Sequence, residues 1–219
     1  MTDFEQATKP TRQLIERLRY NEEEIICISI PGLLYYPDFI SSSDESELIE
    51  TIDRQPWLTD LKRRVQHYGY KYDYKARAVD SSMYLGPLPA WAIAVAETLY
   101  SYGLMPRIPD QVIVNEYEPG QGIAPHVDCK PCFGKTIVSV SLGSSCMMNF
   151  TKVKAGTKCS LLLEACSVLV LSGEARYDWQ HSIPARKSDV YQGEKIRRGR
   201  RVSLTFRNVL VNSNVGVDQ

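Results

Sequence analysis

No stretch of the chain approaches the roughly eighteen consecutive apolar residues of a membrane-spanning helix. The opening segment MTDFEQATKPTRQLIERLRY also lacks the apolar core of a secretory leader. Net charge is missing too, since 26 Lys and Arg stand against 26 Asp and Glu. A global field therefore argues neither for nor against nucleic acid, and such binding has to come from local patches. Six cysteines are too few for a disulfide scaffold. These absences predict a soluble, reduced protein, cytoplasmic (or nuclear if eukaryotic), with no membrane contact, and a monomer is the expected state. Histidine is scarce, at three residues, so any histidine-built site must draw on His67, His126 and His181.

With 219 residues the chain can bury a substantial core as one domain with extensions. Residues 11 to 20 carry a weak helical period after Pro10. A stronger helix is expected in SSSDESELIETIDRQPW, where Ser42 with Glu45, or Asp44 with Glu47, forms a capping pattern and Pro56 ends the run. A third is expected from about Pro89 to Tyr102, with Ile93, Ala96, Leu99 and Tyr100 as its apolar stripe and Gly103 as its left-handed stop. From Gln111 onward the texture is short β-type runs: QVIVNEY, TIVSVSL, CMMNF, CSLLLEA, SVLVLSG and RRVSLTFRNVL. The class is α+β, mainly β, with helices buttressing a core that closes as a sandwich or a jelly roll.

In GIAPHVDCKPC, His126 and Asp128 sit two apart, so an extended strand aims both at one point. Two histidines and one carboxylate form a facial ligand set that leaves positions open on a non-haem Fe(II). His181, in EARYDWQHSIPAR, can be returned to the same place by a later strand. Taken alone, a partly buried histidine bonded to a carboxylate explains the pair as well. Further along, RRGRRVSLTFRN places Arg201 and Arg207 on one face of a strand. An inward arginine is costly unless it meets an anion, and its fork matches a carboxylate. A dicarboxylic cosubstrate such as 2-oxoglutarate would satisfy both arginines while its 2-oxo acid end chelates iron. A solvated basic edge suits Arg197, Arg198 and Arg200, but suits Arg207 poorly, because Val202, Leu204 and Phe206 define the other face.

The stretches NEYEPGQGIAPHVD, IVSVSLGS, LSGEARYDWQHSI and RVSLTFR together resemble the AlkB family of Fe(II)/2-oxoglutarate dioxygenases. The resemblance implies a double-stranded β-helix of the jelly-roll kind over 111–212, preceded by a helical extension, 1–110, that carries a nucleotide-recognition lid at about 57–90. It implies His126, Asp128 and His181 as iron ligands, with Arg207 beside them in the catalytic set. It further implies Asn115, Tyr117, Arg201, Ser203 and Arg207 as the 2-oxoglutarate site, with dioxygen as the third reactant. Within the family, the upstream stretches LKRRVQHYGYKYDY and PDQVIVNEYEPGQGI are similar to the AlkB-type domain of tRNA wobble-uridine hydroxylases. The implied activity is oxidative demethylation or hydroxylation of nucleic-acid bases, in RNA or single-stranded DNA. The alternatives are side-chain hydroxylation of a wobble uridine without a methyltransferase of its own, or oxidation of a protein.

Residues 62 to 77, KRRVQHYGYKYDYKAR, interleave six basic residues with tyrosines at 68, 70, 72 and 74. Cations for phosphate beside rings for stacking are what a flexible nucleic-acid strand needs. Lys62, Arg63, Arg64, Tyr68, Tyr70 and Tyr72 are therefore the expected lid residues. Lys130 joins them, standing where DNA-repair members resemble a second aspartate; a cation cannot accept a hydrogen bond from an exocyclic amine. The plain alternative is an amphipathic strand whose tyrosines cover the core. His67 is expected to be a polar residue of that strand, and Cys129 and Cys132 to be free thiols, since one CxxC lacks the second pair of a structural zinc site.

Overall fold

The computed structural model describes residues 27–59 and 61–211. The expected helix at 11 to 20 lies outside them. Two antiparallel sheets face each other. The larger contains β1 (Leu33–Tyr36), β2 (Val65–Tyr68), β3 (Gln111–Tyr117), β5 (Ile137–Gly143), β8 (Val168–Leu171) and β12 (Arg201–Arg207), in the order β1-β8-β5-β12-β3-β2. The smaller contains β4 (Ile123–His126), β6 (Cys146–Lys152), β7 (Lys158–Leu163) and β9 (Trp179–Ile183), in the order β4-β9-β6-β7. A hairpin of β10 (Ser188–Tyr191) and β11 (Glu194–Arg197) stands apart. Sequence-distant strands lie side by side, as β12 does between β5 and β3, which resolves the open choice in favour of a jelly roll.

The period-two pattern of β12 explains how the layers stack. Val202, Leu204 and Phe206 face one way, into a core shared with Val112, Val114, Val138, Val140 and Leu142. Two helices cover that core: α1 (Ser42–Asp53) and α2 (Ala90–Ser101). Arg201, Ser203, Thr205 and Arg207 face the other way, between the sheets. The second apolar cluster, including Phe133, Ile137, Met148, Phe150, Leu161 and Trp179, fills the rest of that interior. Covering both faces of the larger sheet is why β3 is buried along its whole length.

Several details differ from expectation. The cap of α1 is Ser41, whose hydroxyl accepts from the Asp44 amide at 3.1 Å while the Asp44 carboxylate accepts from the Ser41 amide. Glu45 is thereby free to accept from the Gly143 amide at 2.7 Å, tying the helix to the sheet. In α2 the buried stripe is Ala92, Ala96 and Leu99, whereas Ile93 and Tyr100 are exposed. Ala92, Ala96 and Leu99 share the face turned to the core, and Ile93 and Tyr100, each one position further on, fall outside it. Cysteine pairing also departs from the free-thiol expectation: Cys129 is bonded to Cys132, and Cys27 to Cys159 across 132 residues. The turn after Asp128 brings the Cys129 and Cys132 Cα atoms to 5.3 Å, within bridging range. Cys146 and Cys166 are buried thiols.

Candidate active site

Between the sheets lies a cavity of about 290 Å³. Its walls come from the inward positions of β3 and β12, which pair in register as Arg201 with Tyr117, Ser203 with Asn115, Thr205 with Ile113 and Arg207 with Gln111. Alternation along two adjacent strands thus turns Ile113, Asn115 and Tyr117 of β3 and Arg201, Ser203, Thr205 and Arg207 of β12 toward one space. On the opposite wall, β4 and β9 align His126 directly with His181, and the ring centroids are 4.3 Å apart.

Asp128 arrives differently. The strand that carries His126 ends at that residue, so Asp128 sits in irregular chain rather than at the next position of a strand. The expected convergence holds even so: ligand atoms of His126, Asp128 and His181 lie within 4.8 Å of one another, a grouping able to hold a metal ion. His126 Nε2 is 4.0 Å from Asp128 Oδ1, and its Nδ1 meets the Ala124 carbonyl at 2.8 Å. A carbonyl can only accept, so this contact orients the ring with Nδ1 toward the backbone and Nε2 toward Asp128.

The electrostatics suit a cation. Burial pulls against ionisation of Asp128, but Arg207, the two histidines and Arg176 outweigh it and hold the carboxyl well below the ordinary range. Burial, reinforced by His126 and opposed by Asp128, pushes His181 down to about 4, so its imidazole is neutral at pH 7. Both groups therefore stand in the protonation state that a metal requires.

The other wall suits an anion. Arg201 donates through Nη2 to Ser141 Oγ at 2.8 Å, while its Nε and Nη1 are buried without a partner. Arg207 reaches Asp128 Oδ1 at 3.2 Å, and its Nε is likewise unpaired. Ser203 Oγ lies 2.8 Å from Ser139 Oγ, and the Tyr117 ring stands 5.6 Å from the Arg201 guanidinium. Buried guanidinium donors left open are expensive unless a ligand completes them.

The expected lid is only partly brought to this cavity. Arg63 and Tyr72 line it, together with Tyr74 and Arg77. Arg63 donates to Asn115 Oδ1 at 2.9 Å, and Arg77 donates to the Val127 carbonyl at 3.3 Å. Arg64 instead forms an ion pair with Glu116. Tyr68 packs edge-on to Trp91 at 5.4 Å under α2, and Tyr70 packs against Tyr84 at 5.0 Å with the rings tilted by 51°. Lys62 and Lys130 are not among the lining residues, the Lys130 ammonium lying 5.8 Å from the Tyr177 ring. The tyrosines do not share a face because the strand stops at Tyr68 and Gly69 takes a φ of +77°, where a side chain would run into the Asp110 carbonyl. His67 is a polar residue of β2, its Nδ1 accepting from the Tyr72 amide at 3.3 Å. Arg77 and Arg176 carried no periodic signal that would have marked them; Thr205 did, lying midway between Ser203 and Arg207 on the inward face.

Residues 58–207 match the family model of the 2OG-Fe(II) oxygenase superfamily. The chain is 38% identical over 205 residues to the alkylated DNA repair protein ALKBH8 homolog of Arabidopsis thaliana, an alignment covering 83% of this chain and 59% of that protein. It is 37% identical over 203 residues to the tRNA (carboxymethyluridine(34)-5-O)-methyltransferase ALKBH8 of Mus musculus, covering 82% of this chain and 30% of the relative. The chain thus spans less than two thirds of the length of either. Among solved structures, that of OsALKBH1 superposes with a TM-score of 0.65 at 19% identity, over 81% of this chain and 97% of that one.

Proposed function

Starting from the fact that the chain belongs to the 2OG-Fe(II) oxygenase superfamily, as an AlkB-type dioxygenase, we propose that it oxidises bases of RNA or single-stranded DNA at the His126, Asp128 and His181 cluster. The observation that carries this reading is one cavity with a cation-ready triad on one wall and unpaired buried guanidinium donors on the other.

The cofactors of the superfamily fit the residues present. Fe(II) would be held by His126 Nε2, a carboxylate oxygen of Asp128 and His181. The unpaired donors of Arg201, with Ser203, Asn115 and Tyr117, would hold the far carboxylate of 2-oxoglutarate, and Arg207 would bridge toward Asp128. When bound, Fe(II), 2-oxoglutarate and dioxygen supply decarboxylation to succinate coupled to hydroxylation of a substrate C–H bond. Hydroxylation at a carbon attached to a base nitrogen yields an unstable adduct that releases formaldehyde, whereas a side-chain carbon leaves a stable alcohol.

The protein's own residues then have definite tasks. Neutral His181 and ionised Asp128 keep the metal-binding state at neutral pH. Tyr72 and Tyr74 line the cavity, packed edge to face, with Arg63 and Arg77 as the nearby cations, so an unstacked base would enter against aromatic and basic side chains while its backbone stays outside. A monomer suffices, since one chain contributes every residue of this set.

The decisive assay adds Fe(II) and 2-oxoglutarate anaerobically, then oxygen, and scores succinate and formaldehyde with tRNA, with methylated single-stranded DNA and with no substrate. Succinate stimulated by a nucleic acid is the expected result, and formaldehyde distinguishes dealkylation from stable hydroxylation. Succinate formation that no nucleic acid stimulates would turn the reading toward a protein substrate. No succinate under any condition would refute the enzymatic reading.

A further inference from the structure

Arg176 is among the largest fully buried side chains in the described residues, at 2% exposure, and none of the ligand-holding or substrate roles assigned above uses it. It lies on α3 (Gly173–Tyr177), the short helix that leads into β9 and His181. Its guanidinium donates through Nη1 to the Asp128 carbonyl at 2.9 Å and through Nη2 to the Cys129 carbonyl at 3.1 Å. The Tyr177 ring lies 5.0 Å from its centre.

The three members of the triad are not held alike. His126 and His181 are fixed by the ladder, as direct partners on adjacent strands. Asp128 lies beyond the end of its strand, where no ladder bond sets its position. A planar fork reaching two consecutive carbonyls does for this residue what a ladder does for the histidines. It also links the Asp128 loop to the segment that bears His181, five residues after Arg176 in sequence. At the other end of the same residue, Arg207 holds the carboxylate itself at 3.2 Å.

We propose that Arg176 is a positioning residue of the metal site: its guanidinium clamps the backbone of Asp128 and Cys129, so that the carboxylate is presented to the same point as the two imidazoles. This rests on the functional reading above. Burial of a guanidinium against carbonyls is costly, and a residue placed only to fill the space would be apolar. Outer partners that orient metal ligands change metal affinity by about 10- to 100-fold when removed.

The test is calorimetric titration of Co(II), without 2-oxoglutarate or oxygen, into wild type, Arg176→Met, Arg176→Lys and His126→Ala, each checked by thermal melting. The Co(II) visible spectrum reports ligand geometry in parallel. Arg176→Met is expected to weaken Co(II) roughly 100-fold and to alter the spectrum, and Arg176→Lys, which keeps charge but loses the fork, roughly 10-fold. In turnover, the apparent KM for Fe(II) should rise while that for 2-oxoglutarate stays unchanged, with excess Fe(II) restoring much of the rate. If Arg176→Met does not fold, Arg176→Lys carries the test. A folded Arg176 variant with a lower melting temperature but wild-type Co(II) affinity and spectrum would overturn the proposal, because the residue would then only stabilise. Wild type that binds no Co(II), or binds it equally after His126→Ala, would instead refute the metal assignment beneath it.

Discussion

Two buried aspartates show how differently one fold can treat the same charge. Asp189 is closed: Arg198 grips it from two nitrogens at 2.6 and 2.8 Å, Arg186 adds a bond at 2.6 Å, and the Met147 amide another at 3.1 Å. Arg198 spends its remaining reach on the Pro184 carbonyl at 2.7 Å. Asp128 is open by contrast, with one arginine at 3.2 Å and an imidazole at 4.0 Å, and the nearby Arg201 and Arg207 keep unpaired donors. A saturated ion pair supports the fold, whereas an incomplete one in a cavity is arranged for what enters. The difference lies in completeness, since both aspartates are buried.

The contrast breaks most sharply at the open site. His126→Ala should abolish succinate formation while the melting transition persists; retained turnover would end the metal assignment. Next in size, Asp189→Asn leaves Arg198 buried without its counter-charge and should cost about 3–5 kcal/mol in urea denaturation. Turnover per folded molecule should be spared, and the same substitution at Asp128 should show the reverse profile. Arg201→Met should raise the KM for 2-oxoglutarate by roughly 10- to 100-fold, the scale of lost charge-assisted hydrogen bonds, with Fe(II) affinity unaltered.

Acid should separate the two sites further. His181 has a folded pKa of about 4, below the unfolded value of about 6.5. Its neutral form is favoured by folding, so the metal-free protein should lose stability as pH falls from about 6.5 toward 4. Asp189 is held below its ordinary value, burial being outweighed by Arg198, the Met147 amide and Arg186. Its contribution persists above about pH 4 and is lost as pH falls further. Melting series across this range should show the first limb flattened by His181→Gln and the second by Asp189→Asn. The smallest effect is expected at the mouth: Arg77→Glu should weaken nucleic-acid binding several-fold and reduce the slope of log affinity against log salt by about one.

The chemistry of the candidate site was legible because it follows local rules. Period two along RVSLTFR turned Arg201, Ser203 and Arg207 to one side, and the register with β3 brought Asn115 and Tyr117 to meet them. The same rule failed at the lid, where Gly69 ends the alternation and Tyr68 goes to the outer core rather than the mouth. It also described Asp128 as a strand residue, whereas the strand ends two residues earlier.

From sequence alone came the β-rich class and the inward face of β12, which depend on side-chain type and spacing over a few residues, while His126, Asp128 and His181 were read as a candidate triad from the H-x-D spacing together with the family resemblance. Tertiary structure decided the remainder: Asp189 is sealed by arginines while Asp128 is left open, Arg77 rather than Arg64 borders the cavity, and Arg176 reaches the loop 48 residues before it. The contacts of Arg77 with Val127 and of Arg176 with Asp128 join segments far apart in the chain, whereas the arginines on Asp189 flank its own hairpin. Periodicity carries no information on which distant donors meet, because sheet closure sets those distances and burial sets what an unpaired charge costs.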